Sequence, residues 1–186
     1  MHKEDLFFEK LEKSKYKSFG EKVYSDSFPP CERRLFSLIE PLIREKKEFN
    51  FFIIHKNEEN NSPIGIISLW EFETFVYIEH FAIEEYERNN GYGKKVIDSL
   101  IKNEKKPIIL EVEPPKGYIE KRRINFYKQF GFTLLKEQYL QPPYSKNNKP
   151  IPMKLMTKSS IELQKNEVFS FVKVIYKEVY NFYDFF

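Results

Sequence analysis

Apolar positions along this chain change period several times, and each change marks an expected element. Across residues 21–47 they recur at helical spacing, with a break at Phe28-Pro29-Pro30. Leu35, Leu38, Ile39, Leu42 and Ile43 then predict a second helix opened by Cys31-Glu32-Arg33-Arg34, which Pro41 should kink or end early. Residues 49–55, 64–70 and 75–83 are apolar, β-branched and aromatic runs divided by the polar stretches 56–63 and 71–74. Three strands on short connections predict an antiparallel meander.

The period returns to helical over residues 91–102, with Val96, Ile97, Leu100 and Ile101 on one face. Residues 107–112 form a continuous apolar run bounded by Pro114-Pro115, the pattern of a buried central strand. Residues 119–130 read as a helix with Ile124, Phe126, Tyr127 and Phe130 inward and Gly131 as its C-terminal cap. Residues 132–140 and 153–156 read as strands on either side of the loop 141–150. Ser159 and Glu162 have the spacing of a capping box, and Val168, Val172, Ile175, Val179 and Phe182 lay an apolar stripe along a last helix. The order α, α, β, β, β, α, β, α, β, β, α is a mixed α/β fold of the α+β type, not a doubly wound one. Residues 1–158 are expected to form the main domain, with 159–186 packing on it or on a second copy. The aromatic end, residues 180–186, would otherwise be an exposed apolar patch.

Composition narrows the function classes. The chain has 186 residues, 41% of them hydrophobic and 17% aromatic, enough for one domain with a full core. Lys and Arg number 31 against 28 Asp and Glu, a net charge of +3 that is too small for a nucleic-acid footprint. The single Cys31 precludes an internal disulfide, the start at residues 1–6 lacks a secretory pattern, and no apolar stretch approaches a membrane span. A cytoplasmic protein with no nucleic-acid or membrane partner is expected. His2, His55 and His80 are too scattered for a metal site, so no metal is expected.

The chemistry concentrates after the third strand, in Arg88-Asn89-Asn90-Gly91-Tyr92-Gly93-Lys94. Backbone N–H groups at a helix start, glycines that admit a close approach, and flanking cations make an anion site. A P-loop is excluded because Lys95 stands where Ser or Thr should follow Lys94, and a dinucleotide loop because Val96 replaces the third small residue. A Gly-x-Gly alone is equally compatible with an ordinary strand-to-helix turn.

In context the sequence resembles the GNAT N-acetyltransferase superfamily over roughly residues 21–156. Arg88-Asn89-Asn90-Gly91-Tyr92-Gly93 matches that family's Arg/Gln-x-x-Gly-x-Gly/Ala between its fourth strand and third helix. Tyr127-Lys128-Gln129-Phe130-Gly131-Phe132 is similar to its Tyr-x-x-x-Gly-Phe. The resemblance implies a central mixed, mostly antiparallel sheet splayed between its fourth and fifth strands and flanked by helices. It implies direct transfer of an acetyl group from acetyl-CoA to a primary amine of a small acceptor. Phe81, Ala82 and Ile83 would pair with the pantetheine arm, the Phe81 N–H would polarise the thioester, and residues 88–94 would hold the pyrophosphate. Tyr127 would protonate the departing thiolate, unless it is a core residue against Phe132. One departure is Glu120, where members often carry a coenzyme-contacting Asn; Lys121, Arg122 and Arg123 are the nearby cations, with Arg123 taken as the coenzyme contact.

The base is expected to be Glu79, another carboxylate, or water. Alternation puts Tyr77, Glu79 and Phe81 on one face and His80 on the other. Glu32, Glu111, Glu113 and Tyr144 are the expected acceptor contacts, and a homodimer is a further expectation. The opposing class is a non-catalytic acyl-CoA sensor or interaction module with the same fold.

Overall fold

The computed structural model describes residues 6–57, 61–145 and 148–183. Residues 1–5 of the chain start, 58–60 of the first polar stretch, 146–147 of the loop 141–150, and 184–186 of the aromatic end lie outside the described residues. Strands β1 (Leu6–Lys10), β2 (Phe49–Lys56), β3 (Pro63–Glu71), β4 (Val76–Ile83), β5 (Ile108–Val112), β6 (Thr133–Leu134), β7 (Tyr139–Gln141) and β8 (Ile151–Lys158) alternate with α1 (Lys17–Ser27), α2 (Ile39–Glu45), α3 (Tyr92–Asn103), α4 (Tyr118–Lys128) and α5 (Lys165–Val174). The strand order is β1-β2-β3-β4-β5-β8-β6, with β7 on β8. The β4–β5 pairing is parallel, in a mixed α/β fold with an open sheet. The chain divides into two compact units: residues up to Phe72 together with Ile78–Asn103, and Glu73–Tyr77 together with the residues from Glu104 on.

In the first unit β1, β2 and β3 form the expected antiparallel meander, with Phe49 opposite Trp70 and Ile53 opposite Ile66. β1 was not expected from the sequence: only five residues long, it pairs with the far end of β2, Leu6 opposite Lys56. Phe49, Phe51, Ile53 and Trp70 are fully buried, and Tyr24 of α1 packs its ring edge-on to Phe51.

The second helix begins later than the pattern suggests. Residues 30–32 make a 3-10 turn, Arg33 is extended, and α2 starts only at Ile39. Arg34 is 9% exposed and pairs with buried Glu79, so the chain is drawn inward as an extended segment where periodicity implied helix. Pro41 falls in the first turn of α2, where its missing N–H has no acceptor within the helix to lose, and α2 is short, ending at Glu45 after 7 residues.

In the second unit the Val76 N–H donates to the Pro107 carbonyl (2.9 Å), and β5 runs antiparallel to β8 with Glu111 opposite Leu155. α4 ends as expected: Gly131 adopts φ +79°, and its N–H and that of Phe132 return to the carbonyls of Lys128 and Tyr127. The single strand expected over 132–140 is two short ones, β6 and β7, each paired with β8. Between them the carbonyls of Lys136 and Glu137 turn to Lys154 Nζ (2.9 and 3.0 Å), which ends the ladder.

The capping box also sits five residues on from its expected place. The Gln164 N–H donates to Glu167 Oε2 (2.8 Å), and α5 runs on into a π-helical turn, Ile175–Val179. This tail packs within its own unit: Phe171 lies 4.6 Å from Phe75, and Ile175, Tyr176, Val179 and Tyr180 are buried. Among the described residues no helix is long and apolar enough to cross a membrane.

Candidate active site

The site residues fall into both units, and each group is built from its own surroundings. In the first unit β4 ends at Ile83, a 3-10 turn spans Glu85–Glu87, and α3 begins at Tyr92. Asn89 (φ +65°) and Gly91 (φ +81°) both take the left-handed conformation, which turns the chain sharply into the helix. A Cβ placed on Gly91 would meet no heavy atom within 4 Å, so the loop presents its backbone to open space. The Gly91 carbonyl accepts from Lys94 and Lys95 N–H groups (3.1 and 3.2 Å), whereas the first N–H groups of a helix have no acceptor within it. Those donors and the helix dipole favour an anion here.

Arg88 is exposed and tethered by an Nε–H bond to the Ile83 carbonyl (2.9 Å), which fixes the loop to the end of β4. Asn90 and Lys94 are exposed; Tyr92 and Gly93 are half-buried. One cation was missed from the sequence. Lys56, at the end of β2, sits 5.3 Å from the Tyr92 ring and pairs with Glu87 (2.8 Å). No sequence spacing signals it, because the meander brings it there.

Upstream on β4, Ala82 is buried while Phe81 and Ile83 are half-buried. Glu79, expected as the base alongside another carboxylate or water, is enclosed on β4. Its side chain has no exposed surface, accepts from Trp70 Nε1 (3.0 Å) and pairs with Arg34 Nη1 (2.7 Å). A carboxylate paired with a guanidinium and enclosed by the core holds the local fold together.

His80 points inward on the other face, as alternation required. Its Nε2 faces the Glu32 carbonyl (3.1 Å), which can only accept, so Nε2 carries the proton; Nδ1 then accepts from Ser68 Oγ (3.3 Å). Ser68 Oγ in turn accepts from the His80 N–H (3.1 Å). The loop carrying Glu32 and Cys31 is thereby fastened to β4. It is also fastened to itself, through Arg33 Nε to the Phe28 carbonyl (2.9 Å) and Arg34 N–H to Tyr24 Oη (3.2 Å).

Desolvation, the largest cause, depresses the His80 pKa to about 4, outweighing the raising effect of Glu79. The neutral ring is thus the folded form. Its contribution is complete above the ordinary histidine value near 6.5 and is lost as pH falls toward 4, where the unfolded chain binds the extra proton. Denaturant unfolding at pH 7 and pH 4.5 should show about 2 to 3 kcal/mol more acid destabilisation in the wild type than in His80→Gln. Equal losses would contradict the buried neutral imidazole.

In the second unit Tyr127, on the last turn of α4, is 8% exposed with its ring 5.5 Å from Phe132 and 5.1 Å from Phe126. Burial pushes its pKa up to about 12, offset in part by Arg123 and reinforced by Glu113. The phenol therefore stays protonated at neutral pH and has a proton to give. Arg123 and Glu113, expected to contact coenzyme and acceptor respectively, pair with each other.

Glu111 is half-buried on β5, and the hydroxyls of Tyr139 and Tyr180 donate to its carboxylate, Tyr180 at 3.0 and 3.1 Å. Tyr144 is half-buried with its ring 4.9 Å from that of Tyr180. Tyr139 and Tyr180 were absent from the expected set, because Tyr180 lies 69 residues from Glu111 and on the tail. Among the described residues no group of three His, Cys, Asp or Glu side chains is arranged to hold a metal ion.

Comparison with known proteins matches these features. Residues 9–132 fit the model of the acetyltransferase (GNAT) family, which takes in β2 to β5, the Gly91 loop and Tyr127. YjbC of Bacillus subtilis (strain 168), itself assigned by inference as an acetyltransferase, is 25% identical over 162 residues, 86% of this chain and 80% of that protein. A solved GNAT-family protein of Bacteroides thetaiotaomicron, likewise assigned by inference, is 34% identical, with a TM-score of 0.85 over 96% of this chain and 99% of that one. The spermidine N-acetyltransferase of Vibrio cholerae, solved with CoA and spermine, shares the fold at 14% identity and a TM-score of 0.59, over 84% of this chain and 96% of that one. The general reaction of such proteins is N-acetylation from acetyl-CoA. By sequence and by architecture, this chain belongs to the GNAT family of acetyltransferases.

Proposed function

We propose that this chain moves an acetyl group from acetyl-CoA directly to the primary amine of a small acceptor. The observation that carries this reading is the Asn89–Gly91 turn, which opens the N-terminus of α3 to solvent with Arg88, Lys94 and Lys56 around it. Residues 88–94 take the pyrophosphate, and main-chain groups of Phe81, Ala82 and Ile83 pair with the pantetheine arm. Arg123 reaches the coenzyme by leaving Glu113. The amine lone pair attacks the thioester carbonyl, whose oxygen the Phe81 N–H polarises. The C–N bond forms, the C–S bond breaks, and the thiolate takes a proton from Tyr127 while the amine proton passes to water. With Glu79 committed to Arg34, water is the base in this scheme. Glu32 and Tyr144 face the acceptor. A homodimer and a cytoplasmic setting complete the proposal.

The test is thiol release from acetyl-CoA against a panel of small amines, alongside direct binding of acetyl-CoA. Turnover with at least one amine is expected; tight binding with release from none would leave the acyl-CoA sensor as the function. Tyr127→Phe should lower kcat about a hundredfold while acetyl-CoA affinity stays within about twofold, the signature of a lost proton donor. Retained kcat would give that role to solvent.

A further inference from the structure

One buried imidazole lies within the first unit and takes no part in the proposed transfer chemistry. His80 is 2% exposed on β4, and Phe81, whose N–H polarises the thioester in that chemistry, is the next residue of the strand. Ser68 of β3 is fully buried and meets His80 twice. Its hydroxyl oxygen accepts from the His80 N–H (3.1 Å), and its proton goes to Nδ1 (3.3 Å). The ring proton is thereby left on Nε2, which donates it to the Glu32 carbonyl (3.1 Å). Two rings enclose the histidine, Tyr24 edge-on at 4.8 Å and Phe28 edge-on at 4.6 Å. All of these residues belong to the first unit.

Two successive residues of β4 hold the loop of residues 28–34. Glu79 holds it through the Arg34 side chain, and His80 through the main chain at Glu32. The second tie depends on the tautomer. Glu79 Oε2 lies 3.8 Å from Nδ1, and a carboxylate on that side favours a proton on Nδ1. A ring so protonated would turn the Nε2 lone pair on the Glu32 carbonyl and break the tie. The Ser68 hydroxyl prevents this by donating to Nδ1.

We propose that His80 is a positioning residue for acetyl transfer. Its Nε2–H bond to the Glu32 carbonyl sets the loop that faces the acceptor against the strand that carries the Phe81 N–H. Ser68 is its partner, holding the ring in the tautomer this bond requires. The proposal rests on the acetyl-transfer reading and adds two residues to that site. His80 acts through Glu32 and through the strand, and touches neither substrate. A displacement of about 1 Å between amine and carbonyl costs on the order of a hundredfold in rate, so the bond acts on kcat. The coenzyme loop, residues 88–94, keeps its own geometry without it.

Two amides separate this role from packing. The side-chain nitrogen of His80→Gln can still donate to the Glu32 carbonyl, whereas His80→Asn is one bond shorter and ends at the Nδ1 position. Both lose the ring and should melt alike. With an amine that the wild type acetylates, His80→Gln should keep kcat within about threefold and His80→Asn should lose about tenfold or more. Acetyl-CoA affinity should stay within about twofold in both. Ser68→Ala, which lets the proton move to Nδ1, should also lose about tenfold in kcat. The one cysteine of the chain, Cys31, is exposed beside Glu32 and gives a readout that needs no acceptor. A nitroxide on Cys31 should move more freely in His80→Asn and Ser68→Ala than in the wild type or His80→Gln. Equal kcat in the two His80 variants, or equal label mobility in all four proteins, overturns the proposal. If the His80 variants fail to fold, as their melting curves would show, Ser68→Ala decides alone. Should the wild type release thiol with no amine while the label loosens as described, the reaction falls and the hold on the loop stands. Should the wild type turn over and His80→Asn match it, the reaction stands and the positioning role falls.

Discussion

Gly91→Glu should weaken acetyl-CoA binding by a factor of about 10² to 10³, the largest effect on coenzyme affinity expected of any single substitution in this chain. Two costs combine. A residue with a Cβ at φ +81° is strained by roughly 1 kcal/mol. A carboxylate on the loop then opposes the pyrophosphate, and at an effective dielectric near 20 such a repulsion is worth about 2 to 4 kcal/mol over 4 to 8 Å. Gly91→Ala separates the two. Its Cβ meets nothing within 4 Å, so it should lose about 1 kcal/mol of stability but keep its coenzyme affinity within about fivefold. Calorimetry with acetyl-CoA, paired with thermal melting, reads both quantities. Unchanged affinity in the Glu variant would remove the loop from the coenzyme site.

Arg34→Leu should cost about 3 to 5 kcal/mol of folding stability, because Glu79 would keep its charge with no exposed side-chain surface and no guanidinium. The remedy should be as specific as the damage. In Arg34→Leu/Glu79→Gln the charge is gone, and the amide oxygen can still accept from Trp70 Nε1, so most of the loss should return. Denaturant unfolding of the two single variants and the double measures the coupling. A double variant as unstable as Arg34→Leu would mean that the arginine contributes by packing on Phe49, whose ring lies 5.8 Å away, more than by charge. Activity should fall further than stability in the single variant, since the pair also holds the loop that carries Glu32.

Features encoded over a few consecutive residues were legible before any coordinates. The Gly91 turn, the Gly131 cap and the core strands β2 to β5 each follow from local geometry or local period, and each lies within a residue or two of its expected place. What escaped depended on partners distant in sequence. Alternation correctly set Glu79 apart from His80 but could not reveal that Arg34, 45 positions earlier, would neutralise it. Helical periodicity over 31–43 was real, yet the pull of that ion pair kept Arg33 and Arg34 out of the helix. β1 is too short to show a period of its own and exists because β2 offers an edge. The tyrosines around Glu111 come from β4, β7 and the tail, three segments that no motif connects.

The division of the chain bears on how it is synthesised. Residues 73–77 belong with the second unit but are translated before the last stretch of the first, Ile78–Asn103. The first unit can therefore close while the ribosome is still working, with Phe75, Val76 and Tyr77 held out for partners not yet made. Val76 waits for Pro107, and Tyr77 waits for Tyr180, 103 residues later. At common elongation rates the second delay is roughly 5 to 20 seconds, during which the Tyr77 hydroxyl is without that partner on the nascent chain. Slow codons placed after residue 103 would lengthen it, which makes the coding sequence, and not only the protein, a determinant of yield.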